Sequence, residues 1–329
     1  MAIPSPLPTC LPPLPPPRRT GPPGGPLPPG FEPASFSGGG FPSEAPLRRE
    51  NVLRIVDDFM AAPFEFSSHG EQVENSARLS GYQGAVQRTQ LNYDPMTEDV
   101  TQASIRALGG GELSPEDTRA ALSRGMIGSQ VGLLNGAAQV LNADARAGVT
   151  NSVTNLSQGS GPAHVAQSLY QQARKGWGPA PTPPTINDIP ELQQMHQADL
   201  AAYERSQHLM ANLANAWGID PKDLKSPDPA VHGPARQRFQ QHLLDSAQAS
   251  SQSASVEGAL QNYQRAETAY TANSNSVVVS AGNWGNLLND MRADNGNREL
   301  KVDPNFHRNL LVGDNAISVG ALDLDPRTG

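Results

Sequence analysis

Apolar and polar positions along the chain alternate between two periods. Val52-Leu53-Arg54-Ile55-Val56 is a short β-favouring run that closes on Asp57-Asp58, and Val277-Val278-Val279 is an uninterrupted apolar run of the kind buried in parallel sheets. Strands are also predicted over Ala85–Leu91, Gly148–Leu156 and Ile317–Leu322. Helical patterning fits Gly70–Leu79, most of Thr101–Arg146, Pro162–Ala173, Glu191–Trp217, Ala235–Gln248 and Val256–Thr271. The sharpest boundary is Ser114-Pro115-Glu116-Asp117, where a capping serine, a proline suited to the first helical position and two acids complementing the dipole coincide. Strands alternating with helices predict an α/β fold on a parallel sheet.

This pattern is absent from the first 48 residues, which are dominated by proline and glycine from Pro4 to Pro46. Such a stretch buries too little side-chain area to offset ordering entropy and is predicted to be disordered with local polyproline II character. Pro13-Leu14-Pro15-Pro16-Pro17-Arg18 fits a P-x-x-P-x-R pattern, read first as spacer. Gly176–Pro190 carries five prolines and reads as a linker, and the Gln/Ala-rich helices beyond it close on the tract Ser246–Ser255. The expected organisation is therefore a Pro/Gly-rich segment over 1–48 and a folded domain over 49–329, with a helical insertion at about 178–255.

Charge and cysteine content narrow the classes of function. The net charge of -8 and pI near 5.4 argue against a phosphate-backbone binder, so no nucleic-acid partner is expected. Cys10 is the only cysteine, which rules out an intrachain disulfide and a thiolate cluster. His196 and His208, or His232 and His242, lack metal-ligand spacing with carboxylates, and Gly109-Gly110-Gly111 is no phosphate cradle because Glu112 follows. No metal and no cofactor is expected. No membrane span or signal peptide is recognisable, leaving localisation undetermined and cytoplasmic by default.

Four segments, in order, carry a resemblance. Ile55-Val56-Asp57-Asp58 is a strand ending in a carboxylate, and Ser68-His69-Gly70-Glu71-Gln72-Val73 is similar to an H-G-T-x-V helix start with Glu71 in place of threonine. Val149-Thr150-Asn151-Ser152-Val153-Thr154-Asn155-Leu156-Ser157-Gln158-Gly159 resembles a V-I-N-M-S-L-G-G cleft strand. Val277-Val278-Val279-Ser280-Ala281-Gly282-Asn283-Trp284-Gly285 resembles V-V-x-A-A-G-N-x-G, and downstream Asn315-Ala316-Ile317-Ser318-Val319-Gly320-Ala321-Leu322-Asp323 resembles an I-A-V-G-A-V-D strand. Together they resemble the subtilisin-like serine protease (subtilase) family over 51–329. The resemblance implies a parallel-sheet, three-layer subtilisin-like domain, C-terminally incomplete, and a serine endopeptidase acting through an Asp-His-Ser triad. It assigns Asp57 and His69 to the triad, Asn283 to the oxyanion hole, and Ser157, Gln158 and Gly159 to substrate binding, with a peptide or protein as substrate.

The nucleophile is missing. No G-T-S occurs in the sequence, and Ser318, the only serine after Asn283, lies in a predicted strand. Only 11 residues separate Asp57 from His69, fewer than is usual in the family. The expectation is a truncated or split protease, inactive alone, whose partner is a complementary C-terminal segment carrying the serine. The absent serine helix should leave apolar surface open beside the sheet. The alternatives are a non-catalytic peptide-binding relative and a helical interaction protein.

Overall fold

The computed structural model describes residues 51–57, 69–90, 103–104, 106–156, 159–183, 190–280 and 285–319. The chain divides into Met1–Leu47 and Arg48–Gly329, and every described residue belongs to the second unit.

Among the described residues five strands form one sheet: β1 (Val52–Asp57), β2 (Ala85–Gln90), β3 (Val153–Leu156), β4 (Ser276–Ser280) and β5 (Ala316–Val319). Their order is β2-β1-β3-β4-β5 and every pairing is parallel. Helix α1 (His69–Leu79) joins β1 to β2, and α2 (Pro115–Arg146) joins β2 to β3. Between β3 and β4 come α3 (Pro162–Lys175), α4 (Pro190–Ala216), the short α5 (Pro221–Lys225), α6 (Pro229–Ser251) and α7 (Ala254–Thr271). Helix α8 (Gly285–Asp294) lies between β4 and β5.

Crossovers between parallel strands are right-handed, so their direction across the sheet selects the face on which the helix packs. The step from β1 to β2 runs one way, and the steps to β3, β4 and β5 all run the other. Register confirms the division. Val52, Arg54, Val56, Thr154, Leu156, Val277 and Val279 alternate onto the face held by α2 and α7. Leu53 meets α1 on the opposite face.

Two hydrophobic clusters result. The first joins the sheet to α2 and α7 through Leu156, Val277, Val279, Leu134, Leu141 and Tyr263. The second is helical: Tyr170 of α3, Met210 and Leu213 of α4, Phe239 and Leu243 of α6, and Met291 of α8. Trp177 stands edge-on to both Tyr170 and Phe239, at centroid distances of 5.7 and 5.8 Å. At 32 residues, or roughly 48 Å, α2 is long enough to serve both clusters. Helices α4 and α6, within the expected insertion at about 178–255, supply much of the second cluster.

Several boundaries differ from expectation. β3 begins at Val153 and not near Gly148, because Gly148 (φ 68°) and Asn151 (φ 51°) turn the chain through left-handed conformations. Helix α6 starts at Pro229, where Asp228 accepts a hydrogen bond from the Ala230 N–H at 2.9 Å, and it runs through Pro234 instead of beginning after it. Helix α4 starts at Pro190, at the end of the expected linker. The expected strand Ile317–Leu322 is described only as far as Val319.

Candidate functional site at the carboxyl edge of the sheet

Because all five strands are parallel, their carboxyl ends share one edge. Asp57 is the last residue of β1, Leu156 of β3, Ser280 of β4 and Val319 of β5. Ile55, Asn155 and Val278 are in register, so Asp57 and Ser280, each two residues further on, stand level with one strand between them. Two strand spacings separate their backbones, roughly 10 Å. The crossover direction reverses between β1 and β3, and at such a switch point open α/β sheets form a crevice beyond the carboxyl ends of their strands.

His69 is the first residue of α1. The other end of that helix, Ala77 to Tyr82, lies beside Asn51, Leu53, Asn151 and Val153 at the amino ends of β1 and β3. The start of α1 is therefore directed to the carboxyl edge, where β1 delivers Asp57. These two residues are placed by their backbones. Gly159 lies in the described segment before α3, whereas Ser157, Gln158 and Asn283 lie outside the described residues.

Asn309 stitches this edge together. Its Oδ1 accepts hydrogen bonds from the backbone N–H of Ser160 (3.0 Å) and of Leu311 (3.1 Å), and its Nδ2 donates to the Ser280 carbonyl at 2.7 Å. The Leu310 N–H adds a bond to the Ser160 carbonyl at 2.8 Å. Gly161 is obligatory here: its φ is +129°, and a Cβ would lie 2.5 Å from the Arg308 carbonyl oxygen. The segment leaving β3, one residue past Gly159, is thus tied to the end of β4, three residues before Asn283.

The helices that continue from these segments are tied in turn. Tyr170 on α3 donates to Asp294 at the end of α8, Arg174 Nε lies 2.6 Å from the same carboxylate, and Arg174 Nη2 donates to it at 3.0 Å. Gln240 of α6 donates to Tyr170 at 3.3 Å and to the Met291 carbonyl at 2.8 Å. Burial, then the neighbouring Asp294, pushes the Tyr170 hydroxyl well above its ordinary pKa, so it remains a proton donor.

Other polar groups serve the scaffold. Beneath the sheet, Arg54 Nη2 donates to Asp144 of α2 at 2.6 Å, Arg54 Nε lies 2.6 Å from the second carboxylate oxygen, and Nη1 donates to Thr89 of β2 at 2.6 Å. Burial raises the Asp144 pKa against the opposing pull of Arg54. Glu267 of α7 is 1% exposed and packs against Gly313 in the turn before β5, at the amino edge. Desolvation, and then the charge of Asp314, push it up to about 7. A recess of about 520 Å³ also opens at the amino edge, between the end of α1 and the starts of β1 and β3.

His242 stacks on Trp217 with centroids 5.5 Å apart, and His232 Nδ1 lies 2.8 Å from the Ser226 carbonyl. Among the described residues no group of three His, Cys, Asp or Glu is arranged to hold a metal ion, and no helix is long and apolar enough to cross a membrane. The chain matches no protein-family model, no curated protein and no solved structure.

Asn309, Asp294 and Tyr170 did not emerge from the motifs. The faint signal for Asn309 was a lone amide beside Leu310-Leu311 in a polar stretch; Tyr170 lay in a predicted amphipathic helix without any mark of its partner.

Proposed function

We propose that this chain is the acid–base and oxyanion-binding part of a subtilisin-like serine endopeptidase, completed by a C-terminal segment that carries the serine. The observation that carries the reading is the convergence of Asp57, the start of α1 at His69, the chain at Gly159–Ser160 and the end of β4 at Ser280 on one carboxyl edge. In the completed site His69 would take the serine proton and return it to the leaving amine, Asp57 would orient the imidazole, and the Asn283 amide would bind the developing oxyanion. Ser157, Gln158 and Gly159 would offer backbone groups to an extended peptide, as an added strand does. Without the serine, the chain holds substrate and does not cleave it.

The test is to extend the chain with the reading frame beyond Gly329 and label it with a fluorophosphonate. The expected result is a frame encoding G-T-S-x-A-x-P, labelling of the extended protein, and loss of labelling in His69→Ala. Labelling of the 329-residue chain itself would contradict the assignment. The lack of any G-T-S in this sequence favours a second reading, a peptide-binding protein using the same edge without catalysis. That reading would replace the first if the downstream frame lacks the serine motif and an extended peptide still binds.

A further inference from the structure

Strand β5 is held lightly. Ile317 and Val319 are 54% and 52% exposed, Ser318 between them is exposed as well, and only Ala316 packs against a hydrophobic cluster. Its tie to the sheet is the pairing with β4. A strand with so little buried area belongs to the low-stability end of a domain, where local opening takes less than global unfolding. Whether it stays paired then depends on the turn that leads into it.

That turn is seated on α7. Leu311 is fully buried, and its carbonyl accepts hydrogen bonds from the Tyr263 hydroxyl at 2.8 Å and from the Gly313 N–H at 3.1 Å. The Gly313 carbonyl accepts from the Ala316 N–H at 3.4 Å, at the first residue of β5. The Glu267 carboxyl lies against Gly313, so close that a Cβ there would collide with both of its oxygens. Glu267 is 1% exposed, and its Oε1 has no hydrogen-bond partner.

A buried carboxyl with an unpaired oxygen is costly to hold as the anion and tolerable as the neutral acid. Asp314, the next residue of the turn, adds a like charge, and the Asn315 backbone amide, which favours the anion, is outweighed. The other ionisable groups nearby supply no positive charge. Tyr263 on α7 is buried and keeps its proton, the Arg54–Asp144 pair bears on Tyr270, and β4 carries no ionisable side chain. The turn itself covers the carboxyl, so the anion reaches water by lifting the turn.

We propose that Glu267 is a proton-controlled latch: the neutral acid seats the turn at 312–315 on α7 and keeps β5 paired with β4, and loss of the proton releases both while the rest of the sheet stays folded. The closed latch titrates at about 7 and the released side chain near its ordinary 4.5, so β5 is held most firmly below this interval and loosens as pH rises through it. The inference rests on this packing and is independent of the peptidase reading.

The test is hydrogen–deuterium exchange of the full chain, read by mass spectrometry between pH 5.5 and 8 and corrected for the intrinsic exchange rate at each pH. Protection over 312–319 should fall by about tenfold or more across this range, while peptides from β3 and the middle of α2 keep theirs. Glu267→Gln, which cannot ionise, should hold 312–319 protected at pH 8. Asp314→Asn, at an exposed position, removes the like charge and should make the loss smaller. Circular dichroism checks that each variant is folded, and the Asp314 variant decides the matter if the buried substitution does not fold. Constant protection over 312–319 in the parent, an undiminished loss in Glu267→Gln or in Asp314→Asn, or an equal loss in β3 and α2 would each overturn the inference.

Discussion

The two faces of the sheet are built from the same strands and have different fates. On one, Leu156, Val277 and Val279 are sealed under α2 and α7, and the polar groups that intrude are matched: Arg54 with Asp144 and Thr89, Thr154 with the Tyr270 hydroxyl at 2.8 Å. On the other, cover fades from Ile55 to Ile317 within four neighbouring strands. Apolar content alone does not explain the contrast, since both faces carry aliphatic side chains: Val56, Leu156, Val277 and Val279 on one, Ile55, Val278 and Ile317 on the other. The direction of the crossovers does. A doubly wound sheet whose later connections all run one way sends their helices to one face, and among the described residues only α1 packs on the other.

The largest effect is expected from breaking the closed face at its ion pair. Arg54→Leu leaves the Asp144 carboxylate buried without its partner and should cost about 3–5 kcal/mol in urea unfolding. Adding Asp144→Leu should recover most of that loss. If the single variant is as stable as the parent, the pair is more solvated than its burial implies.

A matched pair of truncations compares the faces directly. Leu156→Ala should cost about 2–5 kcal/mol, because the cavity under α2 and α7 cannot collapse. Ile317→Ala should change stability by no more than about 0.5 kcal/mol. Similar costs at the two positions would mean that the second face is covered after all.

The packing of α7 against the turn into β5 is expected to be sensitive to pH. Glu267 is raised to about 7 from 4.5, by burial and then by Asp314. Between these values the folded state holds a proton that the unfolded chain has released, so the contribution of Glu267 to stability is fully present below pH 4.5 and is lost as pH rises to about 7. The loss is about 3 kcal/mol, flat above that range. Glu267→Gln should flatten the curve and raise stability at pH 8, read by thermal unfolding across pH. Stability that instead rises over pH 4.5–7 because of this residue would reverse the sign.

Much of the scaffold was legible because its signals are local. The cap at Ser114 is made as the sequence implied, with Oγ accepting from the Asp117 N–H at 3.0 Å, and the apolar runs at Val52 and Val277 are strands. Asp57 at a strand end and His69 at a helix start were legible for the same reason. The parts that lock the edge were not. Asn309 bonds to residues 29 and 149 positions away, and Tyr170 to a carboxylate 124 positions away, so no local pattern announces them. The start of α6 at Pro229, before the expected Ala235, is set by the Asp228 cap and Pro229, and Pro234 falls inside the helix.

Hydroxyl-radical footprinting of the isolated chain tests the asymmetry most directly. Ile317, Val319 and Val153 should be modified at rates typical of solvent-exposed aliphatic residues, while Leu156, Val277 and Val279 are protected. Protection of Ile317 and Val319 equal to that of Leu156 would show that the second face is already closed and would contradict the account.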